Sequence, residues 1–199
     1  PLSFFSMTMG MAGLSIAWEK TLQVMHIETV LPYILTAFTF LVFALLAGLH
    51  TVRAIRYPEA ILADLAHPIK INFLATIPIS LLLLSVALLP LNQGFALVFW
   101  FSGSLLQLIV LLFILNKWMH HEHFKVEHLN PAWFIPEVGN VLVPLSGSTL
   151  GFTEISWFFF SVGMLFWLIL QTIIFNRILF HSPLPEKLLP TLFILIAPP

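Results

Sequence analysis

The sequence predicts an all-α integral membrane protein, and three observations carry the prediction. Of 199 residues, 59% are hydrophobic and only 9% charged, whereas soluble domains carry roughly a quarter charged residues. Lipid must therefore be the solvent for most of this surface. The apolar residues fall in runs of about 20, the length a helix needs to cross a hydrocarbon core of ~30 Å. The runs are also continuous, as in Leu81-Leu82-Leu83-Leu84 and Trp157-Phe158-Phe159-Phe160. Membrane β-strands would alternate in polarity.

Taken in order, the runs cover 2–18, 29–49, 71–89, 94–115, 131–151 and 155–176, and 188–199 begins a seventh. Together they make one transmembrane domain over residues 1–199. The chain begins at Pro1 and stops at Pro199 within an apolar run, so it is expected to be part of a longer protein. Leu89–Gly94 and Gly151–Ile155 are short enough to make hairpins of spans three and four and of spans five and six. His67-Pro68, Asn130-Pro131 and Ser182-Pro183 mark helix starts, where the N–H that Pro lacks has no partner to lose. Asn130 and Ser182 are also good N-caps.

Lys and Arg give the orientation, because they gather in cytoplasmic loops. Arg53, Arg56, Lys70, Lys117, Lys125, Arg177 and Lys187 all follow even-numbered spans, and Lys20 alone lies on the other side. The N-terminus is thus expected in the cytoplasm, with the protein multi-pass in a plasma or bacterial inner membrane.

The spans are of two kinds. Spans two, four and six are rich in Phe and Leu, and their only early Pro is Pro32. Spans three and five carry Pro78, Pro136 and Pro144, the seventh begins the same with Pro198 and Pro199, and the first has Gly10 and Gly13. The odd spans also carry small or polar stripes at helical spacing: Ser6, Gly10, Gly13 and Ala17; Asn72, Thr76 and Ser80; Pro136, Asn140 and Pro144, with Gly147 and Ser148 below. An interior Pro frees the carbonyl four residues earlier, here those of Leu74, Ala132 and Asn140. At membrane depth such backbone is tolerated where it is buried in protein or lines a wet cavity. The odd spans are therefore read as an inner ring lining a central pore, and the even spans as an outer ring facing lipid. Close packing of small residues is the competing reading. Ser102, Gly103, Ser104 and Gln107 in span four are assigned to packing or a subunit contact.

Glu137 is the one formal charge inside a run. A membrane-embedded carboxylate marks a functional candidate; the alternative is that it lies near the interface and pairs with Lys70. Lys70 itself stands at the expected pore mouth, as an anion attractor or an ordinary anchor. His120, His121, His123 and His128, with Glu122 and Glu127, form a loop cluster that reads better as a solvated interface helix than as a metal site. No metal, cofactor or catalytic residue is expected: Cys is absent, no His lies mid-span to hold haem, and no Ser/His/Asp, His-Glu-x-x-His or phosphate-loop pattern occurs. A net charge of −1 gives no nucleic-acid footprint.

Four stretches carry a resemblance: Gly10-Met-Ala-Gly-Leu-Ser-Ile-Ala-Trp18, 67–80 (HPIKINFLATIPIS), 130–140 (NPAWFIPEVGN) and Ile196-Ala-Pro-Pro199. In these the chain resembles the tellurite-resistance/dicarboxylate transporter family, which includes bacterial tellurite-resistance proteins, yeast malate and sulfite carriers and the slow-type anion channels of plant guard cells. The resemblance implies ten helices in five hairpins around a pore lined by the odd helices, of which this chain would supply the first six and the start of the seventh. It implies homotrimers and small anions as cargo: chloride, nitrate, dicarboxylate, sulfite or tellurite. The family's first span carries Pro where this chain reads Met7-Thr8-Met9, and its aromatic gate residue falls in a ninth span, beyond these residues. The expected function is an anion channel or transporter, with a proton-coupled carrier or a non-transporting membrane partner subunit as alternatives.

Overall fold

The computed structural model describes residues 1–120 and 126–196. Seven α-helices are present among them: α1 Phe5–Met25, α2 Leu31–Arg56, α3 Pro58–Ala66, α4 Thr76–Leu88, α5 Gln93–His120, α6 Phe134–Gly147 and α7 Thr153–Phe180. The described residues contain no strand.

By length and apolarity alone, α2, α5, α7 and the segment Lys70–Leu88 can each cross a membrane. The two remaining expected spans, α1 and α6, are their hairpin partners. α1 carries Glu19 and Lys20 in its last turns, and α6 has only 14 residues. The helices exceed the apolar runs mainly at their polar ends, where α2 continues to Arg56, α5 to His120 and α7 to Phe180.

Two helices do not begin as the apolar count suggests. Tight 3₁₀ turns at Lys70–Ala75 and Pro131–Trp133 lead into α4 and α6. Pro78 and Pro136 therefore fall in the first turn of their α-helices, where a missing N–H breaks no α-helical bond. Among the described residues, Pro144 alone interrupts an α-helix. The stretch Glu186–Ile196 also winds as 3₁₀ with Pro190 inside it, and Pro198 and Pro199 lie outside the described residues. Asn130 caps its turn, its Oδ1 accepting from the Ala132 N–H at 3.0 Å. At the next start the His67 ring does similar work: Nδ1 accepts from the N–H groups of Ile69 and Lys70 at 3.2 and 3.5 Å. Ser182 caps no helix, since the 3₁₀ segment begins only at Glu186.

The layout is a row of three hairpins, α1/α2, α4/α5 and α6/α7. Each odd span packs on its neighbour in the row, α1 on α4 and α4 on α6, while α5 is wedged behind α4 and α6. Burial follows the same division. Within the apolar stretch of each span, 61% of the Lys70–Leu88 residues are buried, against 17% for α2 and 22% for α7. The outer helices show Phe38, Leu41 and Leu45 of α2 and Trp157, Leu165 and Leu168 of α7 to the surroundings, a surface that only lipid can solvate favourably. The core between the rows joins Ile71, Ala75 and Ile79 to Val110 and Ile114 of α5 and to Ala132 and Ile135.

Candidate functional site

The inner row presents two different surfaces. On α1, Phe5, Thr8, Ala12 and Ser15 recur every three or four residues and are buried. Ser15 Oγ bonds to Thr36 Oγ1 at 2.7 Å and donates to the Pro32 carbonyl at 3.1 Å, stitching α1 to α2. The opposite face holds the predicted stripe. Ser6 and Gly10 are exposed and Gly13 is half-buried. A Cβ built on Gly10 or Gly13 would meet nothing within 4 Å. These glycines therefore do not serve helix packing within this chain.

Other glycines do. At Gly103 a Cβ would lie 3.0 Å from Leu82, at Gly139 2.5 Å from the Gln107 amide, at Gly147 2.5 Å from Ser156 Oγ and at Gly163 2.7 Å from Val141. The glycines thus divide into a packing set between helices and an open set, Gly10 and Gly13 on α1, Gly48 on α2 and Gly151 in the α6–α7 turn.

The candidates on the third span are enclosed. Asn72, Thr76 and Ser80 are fully buried, and Pro78 is buried beside them. Thr76 Oγ1 donates to Phe73 O in the 3₁₀ lead-in (2.6 Å) and lies 3.3 Å from Leu2 O. Ser80 Oγ repeats the arrangement one turn on, with Thr76 O at 2.7 Å and Phe5 O at 3.3 Å. These hydroxyls bind the third span to the start of the first. Asn72 has no hydrogen-bond partner at either amide atom.

On α6, Pro136, Glu137 and Asn140 are buried, Pro144 is half-buried and Ser148 is exposed, its hydroxyl donating to Pro144 O at 2.7 Å. Gln107 of α5 lies flat on Gly139 and donates to the Pro136 carbonyl, which also receives Asn140 Nδ2 at 3.2 Å. Glu137 is fully buried, and neither carboxylate oxygen has a partner. It does not pair with Lys70.

Lys70 is held elsewhere. Its Nζ lies 3.1 Å from Asp64 Oδ1, while Asp64 Oδ2 takes the Arg53 guanidinium at 2.7 Å. Asp64 lies on α3 between the spans. Burial pulls its carboxyl up, but the hydrogen bonds and charges of Arg53 and Lys70 outweigh this and hold it below the ordinary carboxylate range. Sequence reasoning treated this stretch as plain loop. Tyr57-Pro58-Glu59, a Pro at the first helical position with an acid in the first turn, is the signal that could have found α3.

A cavity of about 970 Å³ opens at the far end of the α1/α2 hairpin, lined by Glu19, Gln23, His26, Glu28 and Tyr33 among others. A smaller one of about 170 Å³ lies at the basic end against Phe5, Leu46, His50 and Arg53. The candidates on the third span and α6 line neither. Of the His/Glu cluster, His121, Glu122 and His123 lie outside the described residues, and His120 Nδ1 lies 3.0 Å from Asn116 O. Among the described residues no group of three metal-capable side chains assembles.

Comparison with known proteins gives a match to the voltage-dependent anion channel family over residues 1–199. The chain is 26% identical over 98% of its length to an uncharacterized transporter of Methanocaldococcus jannaschii, covering 61% of that protein. It is 28% identical over its whole length to S-type anion channel SLAH3 of Arabidopsis thaliana, covering 32% of it. It is 25% identical over its whole length to a tellurite resistance protein TehA homolog of Haemophilus influenzae, covering 60% of it. The chain thus spans between about a third and three fifths of these relatives.

Proposed function

Because the chain belongs to the voltage-dependent anion channel family, we propose that it supplies the first half of a transmembrane path for small anions, running along the open face of its inner row. One observation carries this reading. The stripe Ser6, Gly10 and Gly13 looks onto open space, while the glycines of α5, α6 and α7 at 103, 139, 147 and 163 are spent on packing. The remaining helices of a ten-helix domain would close the path on its open side. A lining short of fixed charge suits conduction, which needs binding strong enough to admit an ion and weak enough to release it.

The reading extends to further points. The basic end of the helices faces the cytoplasm together with the N-terminus, in a plasma or bacterial inner membrane. The assembled protein is a homotrimer, and its cargo is a small inorganic anion or an organic dicarboxylate. Lys70 stands at the cytoplasmic mouth, and Pro144 and Ser148 continue the lining toward the other side. The buried set, Asn72, Thr76, Pro78, Ser80, Pro136 and Asn140, shapes the wall from behind by joining the spans.

Current across a planar bilayer, with the anion on one side exchanged, tests this. The reversal potential is expected to follow the anion gradient. Cation-following reversal, or no current at any voltage, would overturn the proposal. One observation favours a second reading, a proton-coupled carrier: Glu137 is a buried carboxyl group with no partner. If uptake requires a pH gradient and Glu137→Gln abolishes it, the carrier replaces the channel.

A further inference from the structure

We propose that Asp64 sets the strength of the anion mouth, acting as a fixed countercharge that holds Lys70 and limits how strongly the cytoplasmic vestibule attracts anions. The inference rests on the reading of Lys70 as a mouth residue and goes beyond it to what governs that residue.

α3 has nine residues, and the only one buried is Asp64. A helix that docks by packing would bury Leu, Ile or Ala; this one buries a carboxylate, 6% exposed. Its two oxygens grip two cations from different elements, Arg53 near the end of α2 and Lys70 at the start of the third span. Lys70 keeps 55% of its side chain exposed, so its ammonium faces water while remaining tied. The three groups together carry a net charge of +1, from two cations and one carboxylate. Without the carboxylate the same place carries +2, and Lys70 is free to reach toward the opening. Like charge lining a vestibule raises the local concentration of its counter-ion and the rate of encounter, and salt screens the effect.

The test is anion current through the full-length protein in planar bilayers at low and high salt. Asp64→Asn is expected to raise the current about two- to threefold near 0.05 M salt and to match the parent near 1 M, where charges are screened within ~3 Å. Glu59→Gln removes an exposed acid from the same helix and is expected to leave the low-salt current near the parent value. An unchanged or lower low-salt current in Asp64→Asn overturns the proposal, as does an equal rise in Glu59→Gln. If Asp64→Asn does not insert, Asp64→Ser, which also removes the carboxylate, decides: about a twofold rise at low salt supports the proposal, and an unchanged or lower current overturns it. A parent protein that passes no anions contradicts the channel reading itself, and that result precedes any variant.

Discussion

His26 closes α1 in the left-handed region at φ 54°, which lets the Ile27 N–H reach the Leu22 carbonyl at 3.0 Å. That conformation costs an L-residue with a side chain about 1 kcal/mol, and glycine almost nothing. His26→Gly is therefore expected to raise stability by roughly 0.5–1 kcal/mol, read as a higher unfolding temperature in detergent. Asp64 supplies a second prediction. Its folded pKa lies below the ordinary value of 3.8, so its pairing stabilises the fold fully above that pH and is lost as pH falls through the depressed value. Asp64→Asn should cost about 1 kcal/mol near neutrality, a modest figure because Lys70 is half exposed. The gap from the parent should close below about pH 4. Neither feature stands out in the sequence. A left-handed His has no pattern of its own, and the Asp64–Lys70 pair needs α3 to bring the two residues together.

Four spans, α2, the third span, α5 and α7, were legible because each rests on one strong physical signal, the apolar length that crosses a bilayer. The polar ends of α2, α5 and α7 were less so, since hydrophobicity stops at the headgroups while hydrogen bonding does not. The 3₁₀ lead-ins were not legible: Pro78 and Pro136 read as interior breaks because the sequence does not reveal where 3₁₀ winding gives way to α. The neighbour of each small residue was equally hidden. Gly10 and Gly163 look alike in the chain, yet a Cβ on Gly163 would lie 2.7 Å from Val141 Cγ2 and 3.1 Å from its backbone nitrogen. Gly163→Ala should thus cost about 1–3 kcal/mol by overpacking the α6–α7 seam. Gly10→Ala should cost nothing, and helix propensity should add up to about 1 kcal/mol. Thermal unfolding of the two variants checks the contrast. Gln107→Leu removes the donor to Pro136 O and forces bulk onto Gly139, for an expected loss of about 1–3 kcal/mol.

At the scale of the molecule, alternation of smooth and interrupted spans foretold the division that sets α1, the third span and α6 side by side and α2, α5 and α7 on the outer side, while the short loops foretold the second and third hairpins. It did so because lipid and protein ask different things of a helix: lipid tolerates bulk and excludes polarity, whereas a neighbouring helix rewards small residues and satisfied hydroxyls. The same pattern did not separate residues that bond one inner helix to another, such as Thr76 and Ser80, from residues that face open space, such as Ser6 and Gly10. Both kinds are small or polar, and only tertiary contact tells them apart. The chain itself contains no cysteine, so single cysteines can be placed on either row of the full-length protein once any others are removed. A negatively charged thiol reagent applied during current recording then asks which row meets the permeating ion. Gly10→Cys is expected to react and block the current, and Phe38→Cys on α2 to leave it untouched. Block from position 38 with none from position 10 would place the path outside the inner row and contradict the proposed architecture of conduction.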